Sequence, residues 1–298
     1  MDGEQGGVRP SSLESGVLAA RWAPADPDCA HAPPFLVYEY NDTFIILRQS
    51  GCTHFEKPFL YLILGSAEAL LVDTGAPGAD VSAAVDDVLR RHAQREHREM
   101  LRLVVVHSHG HGDHTAGDGQ LKRRSATTVV DATPQAVAAF FRIADWPRGA
   151  AEHDLGGRIV DIVPIPGHQP ASIAIYDRRT GILLTGDTLY PGRLYVNDAP
   201  AFADSITRLV EFTAARDVAH MLGAHIENTI VEVVANPSEM QPTDARQRNA
   251  PGVCTDLRLN RNQRRCPLQV FSNRVRRFGT IDPATNPRPS GSATLPRR

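Results

Sequence analysis

Between residues 109 and 114 the chain reads His-Gly-His-Gly-Asp-His, which places four metal-ligating side chains within six positions. Zinc binds imidazole nitrogen and carboxylate oxygen readily, and a catalytic zinc keeps one coordination position open for water. An isolated histidine is usually satisfied by ordinary hydrogen bonds. Ligand-type side chains this dense, spaced by glycine, point to a metal instead. Gly110 and Gly112 are expected to let the loop fold back so that alternate side chains converge. His109 and His111 could then grip one ion while Asp113 and His114 face a second.

Three further candidates follow short apolar runs. His168 comes after Pro164-Ile165-Pro166-Gly167, Asp187 after Leu183-Leu184-Thr185-Gly186, and His225 after Leu222-Gly223-Ala224. Loops at strand ends along one edge of a layered sheet are where ligands from distant segments can meet. His107 reads as the last residue of a strand, since using it as a ligand would disturb the alternation of 109 and 111, and His54, His153 and His220 read as ordinary histidines.

The elements that must position these residues are legible as changes of period. Strands are expected over 35–40, 43–48, 59–64 and 69–72, divided by turn signals at Asn41-Asp42, Gly51 and Gly65-Ser66. Val81, Ala84, Val85, Val88 and Leu89 then fall at helical spacing within 79–93. The apolar run Leu101–Val106 has the pattern of a strand buried on both faces and delivers the chain into the histidine cluster. Beyond it the pattern predicts a strand over 127–130, a helix capped by Thr133 and running through Trp146, and strands over 159–165, 172–176 and 182–185. An amphipathic helix over 200–215 and a last strand over 218–223 follow. The boundaries expected are an irregular lead-in over 1–34, one catalytic domain over 35–236, and an Arg/Pro-rich tail over 237–298 with too little apolar content for a core, hence disordered.

Hydrophobic residues make up 42% of the 298 and charged residues 22%, which excludes a fibrous or wholly disordered class. The net charge of −2 conceals an asymmetry. Residues 241–298 hold 12 arginines and three aspartates without lysine or glutamate, a net of +9, which leaves −11 for the rest. An acidic body repels a polyanion, so nucleic acid is not the expected partner; a small molecule is. No apolar run reaches the roughly 18–20 residues that cross a bilayer. The N-terminus lacks a signal-peptide core, so a cytoplasmic location is the default expectation. Cys29, Cys52, Cys254 and Cys266 follow no short pairing rule and are expected to be reduced thiols. Oligomeric state is left open.

The segment Ser108-His109-Gly110-His111-Gly112-Asp113-His114-Thr115-Ala116-Gly117 resembles the metal motif of the metallo-β-lactamase superfamily. Val72-Asp73-Thr74-Gly75, Pro166-Gly167-His168, Thr185-Gly186-Asp187 and Gly223-Ala224-His225 are similar to its other motifs, in the right order. The resemblance covers about residues 35–230. It implies an α/β (α+β) chain folded as a four-layer αββα sandwich with metals at one sheet edge. It further implies that His109, His111 and His168 hold a first ion and Asp113, His114 and His225 a second, with Asp187 between them. Asp73 would support the site without ligating. Two zinc ions per chain are implied, with iron or manganese as alternatives.

Such a pair lowers the pKa of water toward about 7 and polarises a carbonyl, so the expected nucleophile is a metal-bound hydroxide. Asp113 could orient it and hand a proton to the leaving group. Relatives of the glyoxalase II and lactonase types carry an aspartate where this chain has Asp187, whereas lactam-cleaving relatives usually do not. A thioester, or a lactone or other ester, is therefore the expected substrate. β-Lactam hydrolysis and a mononuclear non-haem iron persulfide dioxygenase are the alternatives. No segment after residue 236 reads as the helical domain that glyoxalase II-type enzymes use for glutathione. Tyr190, Arg193 and Tyr195 lie close after Asp187, where a phenol or guanidinium could bind a substrate oxygen or carboxylate.

Overall fold

The computed structural model describes residues 13–19, 22 and 28–226. In chain order the elements are β1 (Phe35–Asn41), β2 (Phe44–Gln49), β3 (Phe59–Leu64), β4 (Glu68–Val72), α1 (Val81–Arg95), β5 (Arg102–Val106), the single turns α2 (Gly112–Thr115) and α3 (Asp118–Leu121), and β6 (Thr127–Val129). α4 (Pro134–Phe141), β7 (Ala151–Asp154), β8 (Ile159–Pro164), β9 (Ile173–Asp177), β10 (Ile182–Gly186), α5 (Ala199–Thr213) and β11 (His220–Gly223) complete them.

β1 to β6 form one sheet in sequence order, and β11-β10-β9-β8-β7 form a second. β1 to β4 pair antiparallel, while β4, β5 and β6 run parallel with α1 as the first crossover. In the second sheet only β10 and β11 are parallel, joined across α5. The central strands read as unbroken apolar runs because both of their faces are covered. On β2, Phe44 and Ile46 face the inter-sheet core with Ile162, Ile175 and Leu184, while Ile45 and Leu47 lie under Val81, Val85 and Leu89 of α1. On β10, Leu184 points inward and Leu183 outward against Leu209 of α5. Each such side chain contributes about 1.5–3 kcal/mol by leaving water. The result is the expected αββα layering.

Asp80 caps α1 by accepting from the Ala83 N–H at 2.9 Å, and Asp198 caps α5 through Ala201 N at 3.0 Å. α4 ends at Phe141 rather than continuing to Trp146. Arg142 turns left-handed at φ 59°, and the Ile143 N–H bonds back to the Ala138 carbonyl, which buries Ile143 in the inter-sheet core. β7 was not expected, since Ala-Glu-His-Asp has no β-branched residue; it forms as an edge partner of β8.

The cysteine expectation is overturned for one pair: Cys29 and Cys52 form a disulfide, with Cα atoms 5.2 Å apart. The fold brings the lead-in alongside the β2–β3 loop, where Ser50 N–H donates to the Pro34 carbonyl at 2.9 Å. This pairing withdraws the thiol-based argument for a reducing compartment. Earlier in the lead-in, Glu14 N–H reaches Arg179 O and Val17 N–H reaches Tyr40 O, so the segment is irregular yet docked on both sheets. Cys254, Cys266 and the tail over 237–298 lie outside the described residues. Among the described residues no helix is long and apolar enough to cross a membrane.

Arg158, buried between the sheets, grips Asp177 with Nε and Nη2 and donates through Nη1 to the carbonyls of Thr43 (2.8 Å) and Leu64 (2.9 Å). Arg158→Met strands the Asp177 carboxylate without its cation, and breaking a buried pair costs about 3–5 kcal/mol. Thermal unfolding should show a large loss for Arg158→Met and substantial recovery in Arg158→Met/Asp177→Leu. An unchanged midpoint in the single variant would contradict this account.

Candidate metal centre

The carboxyl ends of β4, β5, β8, β10 and β11 supply, respectively, Asp73, the 108–114 segment, His168, Asp187 and His225. The two sheets are joined at this edge: Phe59 N–H donates to Ala224 O at 2.8 Å, and the buried Tyr61 hydroxyl donates to Gly223 O at 2.5 Å. After β5 the chain loops through His109 and His111 and then tightens into α2, which carries Asp113 and His114. Gly110 fits the expectation of close approach, since a Cβ there would stand 3.0 Å from the Ala132 carbonyl. Gly112 does not: a Cβ would meet nothing within 4 Å. The glycine that does matter sterically precedes Asp187. Gly186 has φ +51°, and a Cβ there would lie 2.6 Å from Ser108 Cβ, so β10 and the histidine loop touch backbone to side chain.

Two clusters of donor atoms result. His109 Nε2, His111 Nδ1 and His168 Nε2 form a triangle with edges of 2.9, 3.1 and 3.2 Å. Asp113 Oδ2, His114 Nε2 and His225 Nε2 form a second, with edges of 3.1, 3.2 and 3.3 Å. Asp187 stands between them. Its Oδ2 lies 3.8 Å from His109 Nε2 and 3.7 Å from His168 Nε2, and its Oδ1 lies 3.8 Å from His114 Nε2 and 3.5 Å from His225 Nε2.

The outward hydrogen bonds decide which ring nitrogens carry protons. His168 Nδ1 faces the Tyr195 carbonyl at 2.7 Å and His225 Nδ1 the Glu56 carbonyl at 3.3 Å; a carbonyl only accepts, so both nitrogens donate. His114 Nδ1 donates to Asp73 Oδ2 at 2.9 Å. Ser108 Oγ donates to the same oxygen at 2.8 Å and so accepts from His109 Nδ1 at 3.1 Å. In their neutral forms all four rings therefore aim an Nε2 lone pair inward, at one another. Lone pairs 3.2–3.3 Å apart repel unless a cation lies between them. The edges approach the ~3.3–3.4 Å between ligands of a tetrahedral zinc with bonds of ~2.0–2.1 Å. Asp187 Oδ1 is buried and has no hydrogen-bond partner. The residues fit a pair of divalent metals.

Charge is distributed unevenly over the two clusters. Burial, with the neighbouring histidines adding to it, holds the His109 and His111 imidazoles below the usual histidine value. At His114 burial also disfavours charge, but Asp73, Asp113 and Asp187 outweigh it and raise the imidazole well above that value. His225 is raised against its burial by the bond to Asp113 and the charge of Asp187. Burial pushes the carboxyls of Asp113 and Asp187 upward, yet His114 and His225 bring both below the usual carboxylate range.

The family model of the metallo-beta-lactamase superfamily matches residues 57–225, more than half of the chain, including Asp73 and all seven clustered side chains. The chain belongs to the metallo-β-lactamase superfamily. A protein from Anaeromyxobacter dehalogenans (strain 2CP-C), named hydroxyacylglutathione hydrolase, is 33% identical over 132 residues, covering 44% of this chain and 46% of its own. The acyl-coenzyme A thioesterase MBLAC2 of Bos taurus is 27% identical over 165 residues, 45% of this chain and 59% of its own. The chain thus spans about half the length of the curated relatives it matches. A solved metallo-beta-lactamase from Pontibacter korlensis superposes with a TM-score of 0.48 at 16% identity, covering 65% of this chain and 92% of that one.

Within this superfamily fold, all seven side chains expected as ligands are brought together, and Asp73 lies beneath them. Asp73 adopts φ +70° and accepts from Ser108 N at 2.6 Å as well as from Ser108 Oγ and His114. The expected substrate contacts fall differently. The Tyr190 ring lies 5.9 Å from that of His225, and its hydroxyl donates to the Arg193 carbonyl. Tyr195 reaches the site through its backbone, as the acceptor for His168, and its side chain is exposed. Sequence reasoning missed Ser108 as a relay, Asn197, whose Nδ2 donates to the His168 carbonyl at 2.6 Å, and the carbonyls of Glu56 and Tyr195. A backbone acceptor leaves no mark in residue type. His107, outside both clusters, faces Asp118 and the Val130 carbonyl.

Proposed function

We propose that the chain is a binuclear zinc hydrolase of thioesters, with lactones and other esters as the neighbouring substrate class. In this reading His109, His111 and His168 hold one ion and Asp113, His114 and His225 the other. The observation that carries it is Asp187, which turns one carboxylate oxygen toward each cluster and leaves the buried Oδ1 without a hydrogen bond. A mononuclear iron centre would have no use for the second cluster. An acylglutathione and an acyl-coenzyme A, the substrates in the names of the two relatives above, are both thioesters.

Two zinc ions there supply a Lewis acid for the carbonyl oxygen and make water a nucleophile near neutral pH. Asp113 keeps its carboxylate ionised between His114 and His225, where it orients the attacking water and passes a proton to the departing thiolate. Asp73 and Ser108 fix the imidazole tautomers that present lone pairs inward. Of the three residues on the loop after Asp187, Tyr190, with its ring beside that of His225, is the one placed to meet the incoming acyl group. The test is metal analysis of the purified full chain with a panel of thioesters, lactones, phosphodiesters and lactams. About two zinc per chain, and thioester turnover that chelation removes and zinc restores, are expected. Iron with oxygen consumption, or no retained metal, overturns the reading.

Acid should empty the two positions separately. His114 and His225 hold their protons until the pH rises through their raised pKa values, and each proton must leave before a metal binds. Affinity at their position therefore climbs with pH and levels off above that window. His109 and His111, held low, keep their lone pairs to more acidic pH. Dialysis at stepped pH between about 5 and 8 should remove one equivalent before the other. Loss of both at one pH would contradict the assignment.

A further inference from the structure

The residues linking β2 and β3 form an outer support for one half of the metal centre, and a disulfide anchors them. His225 Nδ1 donates to the Glu56 carbonyl, so residues 50–58 fix the ring whose Nε2 faces Asp113 and His114. Within the loop the hydrogen bonds are short-range: Thr53 and His54 N–H to Ser50 O, Cys52 N–H to Ser50 Oγ, and Glu56 N–H to His54 Nδ1. Its ties to the rest of the fold include the Cys29–Cys52 disulfide, the Ser50–Pro34 bond and the approach of the Thr53 carbonyl to Gly78, where a Cβ would stand 3.0 Å away. Cys29 is exposed and Cys52 half-exposed, so the bond is open to attack by a small thiol. Among the described residues no disulfide-anchored strap reaches the other cluster: His168 is held by the Tyr195 carbonyl and by Asn197.

We propose that the Cys29–Cys52 disulfide is a thiol-reducible strap that sets the affinity of the Asp113/His114/His225 position through the Glu56–His225 contact. The proposal rests on the binuclear thioesterase reading, because thioester cleavage releases a thiol of the kind that reduces the strap. One thiolate attacks a strap sulfur and forms a mixed disulfide, and the other cysteine leaves as a thiolate and takes up a proton. A second thiol then displaces the remaining cysteine, so two thiols are oxidised to one disulfide as Cys29 and Cys52 are reduced. With the strap open, residues 50–58 hold the His225 ring less firmly. Loss of an outer partner of a metal histidine costs about 10–100-fold in affinity.

The experiment is zinc titration, against a competing chelator, of the metal-free full chain in two forms: oxidised wild type and Cys29→Ser/Cys52→Ser, which avoids thiols that themselves ligate zinc. Two binding events are expected in the wild type. In the variant the first is expected unchanged, which also reports an intact fold, and the second weakened about tenfold or more. Equal second affinities overturn the strap and leave the metal centre standing. Failure of both forms to bind zinc overturns the metal centre and the strap with it. In parallel, wild type exposed to millimolar 2-mercaptoethanol without denaturant, then alkylated and mapped by mass spectrometry, should be labelled at Cys29 and Cys52. Labelling confined to other cysteines overturns the reducibility of the strap.

Discussion

Asp113→Ala should lower thioester turnover by roughly 10²–10⁴-fold, the range that a positioned proton-transfer group supplies, and should at the same time weaken one of the two zinc positions. The carboxylate serves two purposes that the variant removes together. Its Oδ2 lies 3.1 Å from His225 Nε2 and 3.2 Å from His114 Nε2, so it is a donor atom of that cluster. It is also the carboxylate in the two clusters best placed to move a proton, since Asp187 is directed at both and Asp73 is engaged from below. The fold should be unaffected: Asp113 sits in the single turn α2, half-buried, and no core cluster includes it. Zinc stoichiometry measured beside kcat separates the two roles. Asp113→Asn retains the shape and one oxygen, so recovered zinc without recovered turnover would isolate the proton-handling role. Wild-type rates in Asp113→Ala would remove Asp113 from the mechanism.

How far this arrangement could be read from the chain follows from what residue type encodes. The strands delivering Asp73 and His109 were legible because sandwiching between helix and sheet makes 69–72 and 103–106 apolar at every position. The clustered donor side chains were legible because few structural roles require His-Gly-His-Gly-Asp-His. α4 was read too long because Ile143 and Trp146 continue its apolar spacing, and what ends it is a left-handed Arg142, a residue with no special liking for that conformation. β7 was hidden because pairing with β8, not propensity, creates it. The Cys29–Cys52 bond and the carbonyls of Glu56 and Tyr195 depend on which loops pass one another, and that is a property of the assembled fold.

Asp73→Asn is the sharper test of how the site is organised, because it changes no ligand and should still weaken zinc at both positions by about 10–100-fold. Asparagine tolerates the left-handed φ +70° of this position as aspartate does, so backbone strain is not the variable. The acceptor count is. Asp73 Oδ1 receives the Ser108 N–H, and Oδ2 receives both the Ser108 hydroxyl and His114 Nδ1–H. With the amide oxygen on Ser108 N–H, the amide NH₂ takes the place of Oδ2 and can only donate. His114 must then accept at Nδ1 and carry its proton on Nε2, where a metal ligand needs a lone pair. Ser108 must accept from the amide and turn its own proton toward His109 Nδ1, which drives the His109 proton onto Nε2 as well. One buried carboxylate thus sets the tautomer of a histidine in each cluster, once directly and once through a hydroxyl. Ser108→Ala cuts only the second branch and should weaken the His109/His111/His168 position while sparing the other. Competition titrations on the two variants distinguish the branches, and unaltered zinc affinity in Asp73→Asn would show that the inward lone pairs are held by something other than this network.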